Sequence, residues 1–102
     1  MFEAATIVKR SDRQVACNLN GEVALLHLDK GLYFGLQNVG AHIWDALQEP
    51  RSVDEIIATV LTHFDVAPEI CRADVLKFLV SLQEAGMIEV LPSGERLHRA
   101  TV

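Results

Sequence analysis

The feature that most constrains this chain is an abrupt change of hydrophobic period at Gln37–Asn38. Ahead of it, short apolar runs are divided by turn signals. Val15-Ala16-Cys17-Asn18-Leu19 leads into Asn20-Gly21, a pair suited to the positive φ angles of a two-residue hairpin turn. Glu22 to Leu28 follows, Asp29-Lys30-Gly31 makes a second turn, and Leu32-Tyr33-Phe34-Gly35-Leu36 forms a third run. Two short connections joining three strands give an antiparallel meander. In its third strand Leu32, Phe34 and Leu36 share one face, with Tyr33 and Gly35 on the other.

Beyond Gln37 the apolar spacing becomes helical. Asn38 is placed to cap a helix carrying Val39, Ile43, Trp44 and Leu47, which Pro50 stops. Ser52-Val53-Asp54-Glu55 has the form of a capping box, opening a second helix with Ile57, Val60, Leu61 and Phe64 at i, i+3, i+4, i+7. Pro68 suits the first turn of a third helix, and Gly86 suits the left-handed residue that ends it. Met87 to Leu91 reads as a last short strand or an extended segment packed on the core. Residues 1–14 read as a flexible lead-in and 92–102 as a flexible polar tail, leaving 15–91 as the folded unit. The expected class is α+β: a three-stranded antiparallel sheet followed by three helices, of winged helix-turn-helix character.

With 102 residues, half of them apolar, the chain supports one domain with a real core. Its net charge of −5 argues against nucleic acid, where neutralising phosphate with Lys and Arg supplies most of the affinity. Between Asn38 and Leu91 nine acidic residues face three basic ones. In the third helix Arg72 and Lys77 stand against Glu69, Asp74 and Glu84, the wrong balance for a recognition helix. A winged-helix transcription regulator is therefore the weaker alternative. The N-terminus lacks the pattern of a secretory signal, no run approaches the ~18 apolar residues of a membrane span, and two distant cysteines do not suggest a disulfide framework. The expected setting is the cytoplasm.

Chemistry-bearing patterns are absent from the sequence. His27, His42, His63, His98, Cys17 and Cys71 fall into neither a Cys-x-x-Cys nor a His-x-x-x-His spacing, so no metal is expected. No phosphate loop, catalytic triad or cofactor fingerprint occurs, and Asp54 and Glu55 are explained by helix capping. The reading is a binding domain and not an enzyme. Two features exceed what a core requires. The third helix carries a stripe of Cys71, Val75, Phe78, Leu82 and Ala85 and also Leu76, Leu79 and Val80, so apolar residues cover well over half of it. The third strand ends the meander and carries neither charge nor proline to blunt its open edge. An open strand beside an over-apolar helix suits an added peptide strand, unless Met87–Leu91 or a second copy of the chain fills that edge.

The run from Leu28 to Trp44 (LDKGLYFGLQNVGAHIW), followed by Ser52-Val53-Asp54-Glu55-Ile56 and by Asp74 to Ile88, resembles the PqqD family over residues 15–91. This family supplies the recognition element of pathways that modify ribosomally made peptides. The resemblance implies that the leader segment of a precursor peptide binds as an extra strand on the third strand, against the third helix. By position, it assigns the contacts to Leu32, Tyr33, Phe34 and Gly35, and to Asp74, Val75, Lys77, Phe78 and Leu82. Asp74 and Lys77 are the charged pair expected to meet leader side chains of opposite sign. Members acting in pyrroloquinoline quinone synthesis usually carry a Pro-Glu-containing segment where this chain has Asp29-Lys30-Gly31-Leu32-Tyr33. The Leu-Tyr-Phe-Gly-Leu form resembles the free-standing leader-binding proteins of lasso peptide pathways more closely. The implied partners are the leader peptide and a modifying enzyme, either a leader peptidase with a cyclase or a radical-SAM enzyme. An open edge also allows a homodimer.

Overall fold

The computed structural model describes residues 2–91. The chain begins with β1 (Ile7–Arg10), then β2 (Gln14–Leu19), β3 (Glu22–His27) and β4 (Tyr33–Leu36). Helix α1 (Asn38–Ala46), the two-residue strand β5 (Arg51–Ser52), α2 (Val53–His63), α3 (Pro68–Glu84) and β6 (Ile88–Leu91) complete it. Strands β2, β3 and β4 form the expected antiparallel meander. Asn20 (φ 52°) and Gly21 (φ 85°) are both left-handed, as the hairpin turn requires.

A second antiparallel sheet, ordered β5-β1-β6, was not expected. The lead-in reading fails at Ile7–Arg10, which pairs with Ile88–Leu91 in the register Ile7↔Leu91 to Arg10↔Ile88. Ile7 and Val8 are both buried, so the strand lacks the alternation that reveals strands locally, and its main partner lies at the far end of the domain. The segment Met87–Leu91 is thereby settled as a strand on β1. It does not fill the edge of β4. The tail expected at 92–102 lies outside the described residues.

One face of the meander packs on the helices. Val23, Leu25 and Leu36 point inward and join Ile43, Trp44, Leu47, Ile56, Val60, Leu79 and Met87 in a single core. Each such side chain contributes about 1.5–3 kcal/mol on burial. The capping box forms as expected, with the Glu55 amide donating to Ser52 Oγ (3.1 Å) and the Ser52 amide to Glu55 Oε1 (2.8 Å). Three helix expectations need correction. Gln37, not Asn38, is the N-cap of α1, and Asn38 itself takes a left-handed φ of 52°, which Asn tolerates. In α2 the buried set is Val53, Ile56, Ile57 and Val60, with Leu61 and Phe64 only half covered. In α3 it is Cys71, Val75, Leu79 and Leu82. Leu79 takes the central place that Phe78 was expected to hold, so part of the apolar excess belongs to the core.

The end of α3 is fixed by a close approach. Gly86 has φ 78°, and a Cβ there would lie 2.7 Å from His27 Nε2. Only glycine meets both conditions. Buried His27 in turn accepts from the Asp29 and Lys30 amides through Nδ1, each at 3.1 Å, which shapes the β3–β4 turn.

Candidate functional site

The pairing pattern shows which backbone groups β4 leaves open. The His27 amide donates to the Leu32 carbonyl, and in an antiparallel ladder such hydrogen-bonded pairs recur at every second residue. Along the β3–β4 register this assigns Leu25/Phe34 and Val23/Leu36 to the bonded pairs. Tyr33 and Gly35 therefore direct their N–H and C=O groups away from β3. Strand β4 has β3 as its sole sheet neighbour among the described residues.

Helix α3 runs beside this edge, in the opposite sense to β4. Its C-terminal end approaches the β3–β4 turn, where Lys30 Nζ reaches the Glu84 carbonyl (3.5 Å) and Gly86 meets His27. Its middle meets the far end of β4. There a Cβ built on Gly40 would stand 3.4 Å from the Phe78 ring and 3.8 Å from Leu36 Cβ. At the helical period Asp74, Phe78 and Ser81 occupy one flank of the buried stripe, with Lys77 further round toward solvent.

Where α1, α2 and α3 converge beyond Leu36, a hollow of about 430 Å³ opens. Val39, Gly40, Phe64, Val66, Val75 and Phe78 supply much of its largely apolar wall, and Asp65 and Asp74 add carboxylates. Neither Asp74 nor Lys77 enters an ion pair among the described residues. Burial pushes the thiol of Cys71, another wall residue, above its ordinary pKa, and the nearby charge of Asp74 adds to the effect. This is a surface that can hold a bulky apolar side chain, with acidic groups for a donor or cation.

The expected contact residues divide into three groups. Leu32, Tyr33 (69% exposed) and Gly35 stand open at the strand, while Phe34 is half-buried against the core. Asp74 and Phe78 line the hollow, and Lys77 is exposed without bordering it. Val75 (1% exposed) forms part of the hollow's floor, whereas Leu82 (0%) is core and borders neither edge nor hollow. Leu82 presents no surface to a guest in this conformation. The α1 and α2 contributions to the hollow were missed. Gly40 inside a helix was the available signal, because glycine there weakens the helix unless something packs close.

The outward face of the meander is also apolar. Val15, Leu26 and Tyr33 lie side by side across the three strands, with Leu19 beyond them, and all four are exposed. No helix among the described residues is long and apolar enough to cross a membrane.

Comparison with known proteins places this arrangement. No curated protein sequence matched significantly. Among solved structures, TbiB1 in complex with the TbiA(beta) leader peptide is 36% identical, with a TM-score of 0.75 over 79% of this chain and 94% of that one. Lasso peptide synthetase B1 complexed with the leader peptide shares the fold at 21% identity, with a TM-score of 0.70 over 83% of this chain and 98% of that one. The family described as coenzyme PQQ synthesis protein D matches residues 22–88. With most of its folded unit so matched, the chain belongs to the PqqD family.

Proposed function

We propose that this chain binds the leader segment of a ribosomally synthesised precursor peptide as an added strand on β4. The observation that carries the reading is the unfilled edge at Tyr33 and Gly35, lying beside α3 and running toward an apolar hollow. Main-chain bonds to Tyr33 and Gly35 would supply affinity, and side chains entering the hollow would supply selection. Because the paired edge residues face outward, guest residues opposite them also point outward, and the intervening ones point toward Phe78 and α3. Asp74 and Lys77 flank that inner side. The 36% identity to a protein solved with a leader peptide supports the same assignment, and the Leu-Tyr-Phe-Gly-Leu form of residues 32–36 favours a lasso peptide pathway over quinone synthesis.

In this role the domain performs no chemistry. It raises the effective concentration of the precursor at a modifying enzyme, in the cytoplasm, where Cys17 and Cys71 remain thiols. The exposed row Val15–Leu26–Tyr33 adjoins the leader edge, which suits docking of that enzyme against sheet and leader together. The open edge would equally accept a second copy of the chain, and a bound leader would then compete with it.

The test is an NMR titration with the synthetic leader of the cognate precursor. Amides of residues 32–36 and 74–82 should shift together and saturate. Binding that leaves those amides unmoved refutes the site, and absence of binding refutes the function.

A further inference from the structure

The meander has a second open edge, and its geometry differs from that of β4. The Leu28 amide donates to the Arg13 carbonyl, so the bonded pairs of the β2–β3 ladder fall on Val15, Cys17 and Leu19. Gln14, Ala16 and Asn18 therefore direct their backbone groups to the free side of β2. These residues face inward, opposite His27, Leu25 and Val23. A strand added to β2 would consequently turn the side chains of its paired residues inward, the reverse of a strand added to β4.

Beneath this edge lies a cleft of about 700 Å³ between the β2–β3 hairpin and α1. Its presence explains why Ala16 and Asn18 are exposed although they point inward. Arg10 and Trp44 form part of its wall, and each carries a buried donor without a partner: Arg10 Nε and Trp44 Nε1. Trp44 is only 2% exposed. The guanidinium is held in place, with Nη2 donating to the Trp44 carbonyl and Cζ 4.5 Å from the indole centroid. Burial lowers the Arg10 pKa, and no ion pair to it forms among the described residues. Orphaned buried donors call for an acceptor. The carboxylate of Asp45, on the same lining, disfavours an anion and can accept a further donor beside Gln48 Nε2, which already donates to its Oδ1 (2.8 Å).

We propose that β2 and this cleft form a second docking site, for an extended polypeptide segment whose inward side chain is a carboxamide (Asn or Gln). Its carbonyl oxygen meets the Arg10 and Trp44 donors, its NH₂ group faces Asp45, and its backbone pairs with Ala16 and Asn18. The site is independent of the leader edge on β4, so either can be occupied or blocked alone.

Trp44 is the only tryptophan in the chain, which gives the site a single indole N–H resonance. The probes are the capped pentapeptides Ac-Thr-Gln-Thr-Gln-Thr-NH₂, its Leu counterpart and its Glu counterpart, titrated by NMR to millimolar concentration. The Gln peptide should shift the Trp44 indole resonance and the Ala16 and Asn18 amides saturably, at least tenfold more tightly than the other two. Arg10→Lys, which keeps the charge and removes Nε, should weaken that binding at least fivefold. Ala16→Pro, which removes an edge donor, should also abolish the peptide-induced shift of the Asn18 amide while leaving the amides of Tyr33 and Gly35 responsive to leader. Absence of a saturable shift, equal response to all three peptides, or displacement of the β4 amides instead would each overturn the proposal. In the first case the cleft holds water only.

Discussion

Replacing Gly35 with proline tests the strand-addition reading at one backbone atom. The Gly35 N–H faces away from β3, so its loss leaves the β3–β4 ladder intact, and proline is tolerated on an edge whose N–H is not used by the fold. What is lost is one of the two N–H donors that β4 offers a guest. A typical intramolecular bond is worth about 0.5–1.5 kcal/mol net, and leaving the guest carbonyl unpaired adds about 1–3 kcal/mol where water is excluded. Gly35 is exposed, so the lower part of that second range applies. The total of about 1.5–3 kcal/mol corresponds to a roughly 10- to 150-fold weaker leader. Fluorescence anisotropy with a labelled leader measures the change, and circular dichroism with a thermal melt checks the fold. Tyr33→Pro, which removes the other donor, should behave alike. A folded Gly35→Pro variant that binds leader within about threefold of the unaltered chain would show that β4 does not pair with the guest.

Tyr33→Ala should weaken leader binding measurably by the same assay while changing unfolding free energy by less than about 0.5 kcal/mol, because the side chain stands in solvent. Leu82→Ala should do the opposite in urea denaturation, costing about 2–5 kcal/mol through the cavity it leaves, with affinity little altered in the fraction that remains folded. Thiol labelling should separate the cysteines: exposed Cys17 reacts in the native state, whereas Cys71, buried and with its pKa raised, holds less thiolate at any given pH and reacts only after denaturation.

The parts of this fold that could be read from the chain are those set by local rules. Asn20-Gly21 specifies a hairpin turn whatever surrounds it, Ser52 and Glu55 satisfy each other within one helical turn, and Gly86 supplies a left-handed residue on its own account. The second sheet could not be read in this way. Ile7 and Val8 become a strand only because Val90 and Leu91 arrive beside them, and nothing within either segment signals the pairing. The candidate site is similarly divided. The bare edge of β4 follows from strand order and from the lack of charge or proline. The hollow depends on the phase of α3, and that phase turns on whether Phe78 or Leu79 faces the core. Both suit a helical stripe, and in the structure it is the leucine that enters the core. The phenylalanine is left to pack beside Gly40, on the side where a guest would lie.

The contact between Gly86 and His27 makes the channel beside β4 behave like a pair of tongs joined at one end. Helix and strand are pinned together near the β3–β4 turn, where a single added methyl group would not fit, while at the other end a Cβ on Gly40 would stand 3.4 Å from the Phe78 ring, a contact to which a side chain can yield. Tolerance to sequence change in whatever threads this channel should therefore be graded, strict beside the pinned end and permissive toward the jaws.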